Sequence, residues 1–279
     1  MQTYKKYGYL TGLLVALFFV LTACAAPGLA GSPPTPAQTL QKSAQAMSKL
    51  KTVHFALSQT TLTVQSGSST TNGISFNVSG QGDVASPDGV SLSLALGQNP
   101  LISVVSLNGT AYVQVMGGTW YSTSTSQLKD SLQKLLAQNP TKGVGQVMTI
   151  LQNAKLTDHG QVSLDGTSLD HITATLDQQT LQELNTQLGG LLPANEQGAQ
   201  NSITQATMDF WIDQSTGYVH QLTLDITAQV DGGALQQYTH LNLGKAAPLT
   251  VELKSQINFS KFNQPVTIYA PAKSVPATY

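Results

Sequence analysis

Along most of the chain apolar residues recur at every second position, the mark of strands that bury one face. Val53, Phe55 and Leu57 share one parity and Leu62 and Val64 the other, so a bulge or bend near Gln59 to Thr61 is needed to keep them together. Ile74, Phe76 and Val78, then Val90, Leu92, Leu94 and Leu96, then Ala111, Val113 and Val115 continue the alternation, with Ser86 to Gly89 and Asn108-Gly109 as turns. Strand patterns return at 156–164 and 169–176. Met208, Phe210 and Ile212 then lead into a turn at Asp213 to Gly217, answered by Leu222, Leu224, Ile226 and Ala228. Leu249, Val251, Leu253, Ile257 and Phe259 hold one parity against Thr250, Glu252, Lys254, Gln256 and Asn258, so these strands have one apolar face and pair as an antiparallel sheet.

Helical spacing interrupts the strands four times. Thr35 and Pro36 make an N-cap and first position for a helix carrying Leu40, Ala44, Met47 and Leu50. Ser124 and Gln127 resemble a capping box before the stripe Leu128, Leu132, Leu135 and Leu136. After Pro140, Val144, Val147, Met148 and Leu151 form another stripe, and Asp177 to Leu188 carries Leu181, Leu184 and Leu188 ahead of Gly189-Gly190. The predicted fold class is α+β, one large antiparallel sheet with helices over one face, forming a single domain over 35–279.

The first residues are of another kind. Lys5 and Lys6 precede an apolar run from Leu10 to Leu21, about a dozen residues where a spanning helix needs about 20. This is a signal-peptide pattern, and it ends in Leu21-Thr22-Ala23-Cys24, which resembles the lipobox of bacterial lipoproteins. Cys24 is the chain's one cysteine, so no internal disulfide exists. The expectation is a lipoprotein signal over 1–23, then a lipidated Cys24 and a Pro- and Gly-rich tether over 24–34. Acyl chains on Cys24 would anchor the protein to the extracytoplasmic face of the cell membrane.

Composition narrows the function. Charged residues make up 10% of the chain, and all 13 basic residues are Lys. Without Arg, bidentate phosphate clamping and nucleic-acid reading are disfavoured, and the near-zero net charge of −1 agrees. No nucleophile elbow, metalloprotease helix, P-loop or dinucleotide fingerprint is present, so no catalytic residue and no cofactor is assigned. Asp158-His159 and Asp170-His171 could face each other across a hairpin and join His220 or His240 around a metal. Neither pair has a helical i, i+4 spacing or a Cys partner, and exposed hairpin positions account for both, so no metal site is expected. His54 and His220 fall within strands.

The lipobox, the helix running into Lys51-Thr52-Val53-His54-Phe55, the strand Phe210-Trp211-Ile212-Asp213 with its Thr216-Gly217 turn, and Phe259-Ser260-Lys261-Phe262-Asn263-Gln264-Pro265-Val266 together resemble the LppX/LprAFG lipoproteins. The resemblance implies a strongly curved half-barrel with helices over its concave side, similar to the periplasmic lipoprotein carriers. It also implies a hydrophobic cavity that takes an acylated lipid or glycolipid for movement through the cell envelope. Leu128, Leu132, Leu135, Leu136, Val144, Val147, Met148 and Leu151 are then candidate cavity residues, although helix stripes of this kind are by themselves ordinary core. The partners expected are that lipid, the membrane through Cys24 and a candidate envelope transporter, with the protein itself a monomer and not an enzyme. The alternatives are a structural or protein-interaction lipoprotein with a filled core and, third, a solute-binding lipoprotein, whose alternating βα units this chain lacks.

Overall fold

In a computed structural model the described residues are 33–66, 74–87, 89–127, 140–187, 202–231 and 248–277. The chain divides into two compact units, Met1–Thr35 and Pro36–Tyr279, and the second contains every helix and strand described. In chain order these are α1 (Pro36–Ser48), β1 (Thr52–Ser66), β2 (Ile74–Ala85), β3 (Gly89–Leu96), β4 (Asn99–Leu107), β5 (Thr110–Val115) and β6 (Trp120–Ser124). They continue with α2 (Pro140–Leu151), β7 (Lys155–Leu164), β8 (Thr167–Thr175), α3 (Gln178–Gln187), β9 (Ser202–Ile212), β10 (Val219–Asp231), β11 (Pro248–Ser260) and β12 (Val275–Pro276).

The twelve described strands lie in one curved sheet, ordered β12-β6-β5-β4-β3-β2-β1-β11-β10-β9-β8-β7. Two meanders, β1 to β6 and β7 to β11, meet where β1 pairs with β11. This is the α+β single-sheet architecture that the alternating pattern predicts, with one difference. The short β12 lies parallel to β6, Val275 opposite Tyr121 and Pro276 opposite Ser122. Two residues with a proline carry too little periodicity to read as a strand, and only the returning tail brings them to that edge.

The parity problem in β1 is resolved by a register shift between Ser58 and Thr61, where Gln59 takes a φ of 54°. Below the shift Phe55 is opposite Phe259 and Leu57 opposite Ile257; above it Leu62 is opposite Leu253 and Val64 opposite Val251. One extra residue thus keeps a strand of 15 residues apolar on a single side.

The helices cover that inner side. Leu40, Met47, Met148 and Leu151 are fully buried against Val53, Val84, Ile172, Phe210, Ile212, Leu222 and Phe259. The close approach of α1 and α2 depends on Gly145, where a Cβ would stand 2.8 Å from the Ala44 carbonyl oxygen. α3 starts at Asp177, whose carboxylate accepts hydrogen bonds from the Thr180 N–H at 2.8 Å and the Thr180 hydroxyl at 2.7 Å. Those bonds hold the Asp177 carboxyl below its ordinary pKa. After β6 the chain makes a 3₁₀ turn at Thr125–Gln127; Leu128, Leu132, Leu135 and Leu136 lie outside the described residues, as does Leu188.

Among the described residues, the segments that carry the family resemblance meet in space. The Lys51 N–H donates to Asn263 Oδ1 at 3.0 Å, the Asn263 N–H donates to the Thr52 carbonyl at 2.9 Å, and Asn263 Nδ2 donates to the Tyr218 hydroxyl at 2.9 Å. The Tyr218 ring stacks on Phe262, centroids 4.9 Å apart. In the β9–β10 turn, burial pushes the Asp213 carboxyl up, but bonds from the Ser215 hydroxyl and the Thr216 and Ser215 N–H groups, with His220 nearby, outweigh it and hold it below its ordinary pKa.

Two predictions follow from these contacts. Asn263→Ala removes two of these hydrogen bonds and puts a Cβ residue with little left-handed preference at φ 54°, so it should lose about 1–3 kcal/mol in urea unfolding, and Asn263→Gly should lose less. A depressed carboxylate stabilises above its unfolded pKa and ceases to do so as pH falls through its folded one. The stability gap between the protein and Asp213→Asn should therefore be full above about pH 4 and shrink below it, as pH-dependent denaturation would record.

Candidate functional site

The inner face is apolar well beyond the helices. Strand register puts Leu94 opposite Gly80 and Ile102, Leu92 opposite Gly82 and Val104, Val104 opposite Val113, and Val113 opposite Tyr121. Residues directly opposite one another share a face, so this row continues the side that carries Phe55, Val84 and Phe259. Where α1 and α2 lie over the sheet the apolar side chains are buried. Toward the other end of β2 to β6 they are not: Ile74 is 49%, Val115 54% and Tyr121 51% exposed. From Gly89 to Leu128 the sequence holds no charged residue.

Between α2 and the sheet an apolar pocket of about 160 Å³ is lined by Val53, Phe55 and Leu57 of β1, Val84 of β2, Ile257 and Phe259 of β11, and Val144 of α2. Every lining side chain is a hydrocarbon. Beside the pocket β2 carries glycine on this face. A Cβ on Gly82 would stand 2.4 Å from the Phe55 ring and 2.3 Å from the Ser91 carbonyl oxygen, so the ring lies directly on the backbone of β2. Further along the face, the Thr60 hydroxyl is buried and pairs with the Ser255 hydroxyl at 2.8 Å, leaving no unsatisfied polar group there.

Of the cavity residues expected from sequence, Val144 lines this pocket, and Val147 is half-buried against the core. Met148 and Leu151 are fully buried in the cluster beneath α1 and α2. The pocket's sheet residues were legible as strand positions but not as lining, because alternation gives the side of a strand and not what lies opposite.

The polar face carries His54, His171 and Asp209, whereas Asp170 is opposite Ile212 on the inner side. His54 Nδ1 is 2.8 Å from Asp83 Oδ1. His220 lies 4.0 Å from Asp213 and beside Phe262. The two histidines of the β7–β8 hairpin do meet, their rings stacked with centroids 4.4 Å apart, and His171 stacks in turn on Trp211 at 4.4 Å. The third group beside them is Asp209 of β9, not His220, and His240 lies outside the described residues. Asp170, on the same hairpin, has its carboxyl pushed up by burial, against the opposing hydrogen bond from Gln214.

The LppX_LprAFG lipoprotein family model matches residues 35–268, and the chain belongs to that family. Its fold is similar to that of the lipoprotein LppX of Mycobacterium tuberculosis, at 17% identity and TM-score 0.45 over 85% of this chain and 100% of that one. It is similar also to LprF of Mycobacterium bovis, at 19% identity and TM-score 0.45 over 87% of this chain and 100% of that one. A LolA superfamily protein of Nitrosomonas europaea aligns at 8% identity and TM-score 0.26, over 82% and 93% of the two chains. No curated protein sequence matches this one.

The glycine contact gives a direct test of the pocket's construction. Gly82→Ala forces the Phe55 ring and the β2–β3 backbone apart, and it should destabilise the protein by about 1–3 kcal/mol in thermal or urea unfolding.

Proposed function

We propose that this LppX_LprAFG lipoprotein binds the acyl chains of a lipid or glycolipid against its inner face and carries that cargo within the cell envelope. The observation that supports the reading most is the all-hydrocarbon pocket under Val144 together with the uncovered apolar residues on the same side of β2 to β6. A volume of about 160 Å³ resembles a cavity that holds one benzene-sized molecule, so it takes only a few methylenes of a chain. The rest of an acyl chain would lie along the exposed row. Each methylene removed from water contributes about 0.8 kcal/mol, so ten of them give ample affinity without a charged headgroup contact. Binding of this kind requires no covalent chemistry.

In this reading residues 1–23 are the export signal, Cys24 carries the anchor, 24–34 tether it, and 35–279 form the binding domain. Among the described residues no helix is long and apolar enough to cross a membrane; the attachment in this reading is the lipid on Cys24 of the lipobox-like Leu21-Thr22-Ala23-Cys24. Ten extended tether residues reach at most about 35 Å, which would keep the domain at the bilayer that holds its cargo. The second reading, an interaction module with a filled interior, draws on the dense cluster of Leu40, Met47, Met148 and Leu151 beneath the helices.

Lipid extraction and mass spectrometry of the chain purified from a membrane-containing host separates the two, with an unrelated lipoprotein as control. The expected outcome is an acylated lipid enriched to about one per protein, and a several-fold lower occupancy in Val144→Trp at little change in Tm, because Val144 is half-buried and the indole fills the pocket. A protein without enriched lipid would favour the interaction module, whereas undiminished loading in a folded Val144→Trp would overturn the placement of the acyl chain in this pocket.

A further inference from the structure

We propose that His159, His171 and Asp209 form a binding site for a divalent transition-metal ion of the copper or zinc class, on the polar face of β7 to β9. One ligand atom from each lies within 4.8 Å of the others. The two imidazoles direct the same ring nitrogen to the same corner. His159 Nε2 is 2.8 Å from Thr173 Oγ1, His171 Nε2 is 3.2 Å from Asp209 Oδ1, and the Thr173 hydroxyl itself donates to Asp209 Oδ1. Two imidazoles and one carboxylate suit copper and zinc and leave the remaining coordination positions to water.

Three features of the sheet build the corner. His171 and Trp211 are directly opposite in the β8–β9 ladder, and so are Thr173 and Asp209, so His171 and Asp209 are set by backbone pairing. His159 reaches them through a bulge, a register shift between Asp158 and Gln161 with Gly160 at φ 74°. Bulges re-aim a side chain, and this one stacks the His159 ring on His171. Asp209 is oriented from its other side, where the Thr223 hydroxyl donates to Oδ2 at 3.0 Å, the kind of outer support that metal-binding carboxylates have.

Ligand atoms at about 2.0–2.1 Å from a tetrahedral ion are roughly 3.3 Å apart, closer than the widest separation here. Stacked rings also cannot both aim a lone pair at one ion. Binding therefore needs one motion, a tilt of the His159 ring out of the stack toward Asp209. His159 is exposed and Gly160 has open space around it, so the tilt meets no packing. His171 keeps its place on Trp211, which puts an indole within reach of the ion.

That indole provides the readout. The chain has two tryptophans, so Trp120→Phe leaves Trp211 as the sole reporter. Titration of the full chain in this background with Cu²⁺ should quench Trp211 fluorescence at one equivalent, and a large excess of Zn²⁺, the weaker-binding ion of the two, should reverse the quenching. Calorimetry should show a single site whose affinity falls about tenfold or more in His159→Ala and in Asp209→Asn, and is unchanged in His220→Ala. His159 is exposed, so its variant keeps the test meaningful even where His171→Ala fails to fold. The proposal is overturned by the absence of saturable one-to-one binding, by binding that survives His159→Ala and Asp209→Asn, or by an equal loss in His220→Ala.

Discussion

The structure depends on one strand pair, β1 with β11. Each meander alone is a sheet with one apolar face and a bare edge; hydrogen-bonded together along this seam they become a single face wide enough to take three helices at one end and leave an apolar row at the other. The seam joins residues about 200 positions apart in the chain, as His54 opposite Ser260 shows. Such a contact pays a large loop-closure entropy before it gains anything, so its ends must be secured locally. Asn263 does this, tying Lys51 and Thr52 at the start of β1 to the turn that follows β11 and to Tyr218 at the start of β10. This gives a physical reason for the scattered family-like segments to occur together in one chain: they are the parts of one joint.

The seam also sets where a pocket can form. Phe55 and Phe259 face each other across it, and both rings line the pocket. Gly82 supplies no side chain, so Phe55 lies on bare backbone there, and Val84 is the residue of β2 that lines the space under Val144. Beneath α1 the same face is occupied by large side chains, Phe210, Leu40 and Met47 among them, and closes completely. Hollow and filled regions thus adjoin on one sheet, decided by side-chain volume at a few positions.

Much of this was legible in the sequence. Alternation marked most of the described strands, though not β4 or β12, Thr35-Pro36 and Pro140 marked helix starts, and opposite parities in β1 required a bulge or bend near Gln59 to Thr61, where the register shifts. The reason is that a one-sided sheet exposes its period directly. The pocket was less legible: Val144 was one of eight candidates on two helix stripes, and Leu57, Ile257 and Phe259 looked like any other inward strand positions. Volume left empty between elements depends on the residues facing them, and a single strand does not encode its neighbours. The histidine cluster shows the same limit. The hairpin pairing of His159 and His171 was readable from their spacing, whereas Asp209 joined them through the β8–β9 register, which local sequence does not state.

The two edges of the sheet are protected in different ways, and the difference follows from charge. An exposed strand edge invites pairing with another chain unless charge, a bulge, proline or a covering segment blunts it. At β7 the edge carries Lys155, Asp158 and His159 and is interrupted by the Gly160 bulge, so two of these devices act together. At β6 the sequence offers none of them, since the segment from Gly89 to Leu128 is free of charge. Uncharged strands suit a surface meant for hydrocarbon, but they leave their edge open to aggregation. The C-terminal tail resolves the conflict by returning as β12, placing Pro276 beside Ser122, with the Ala277 N–H bonded to the Ser122 carbonyl at 2.9 Å. Proline has no N–H to offer a further strand, so the tail covers the edge without creating an equivalent one. The parallel pairing that the alternating pattern gives no hint of is therefore a consequence of keeping charge away from the apolar half of the sheet.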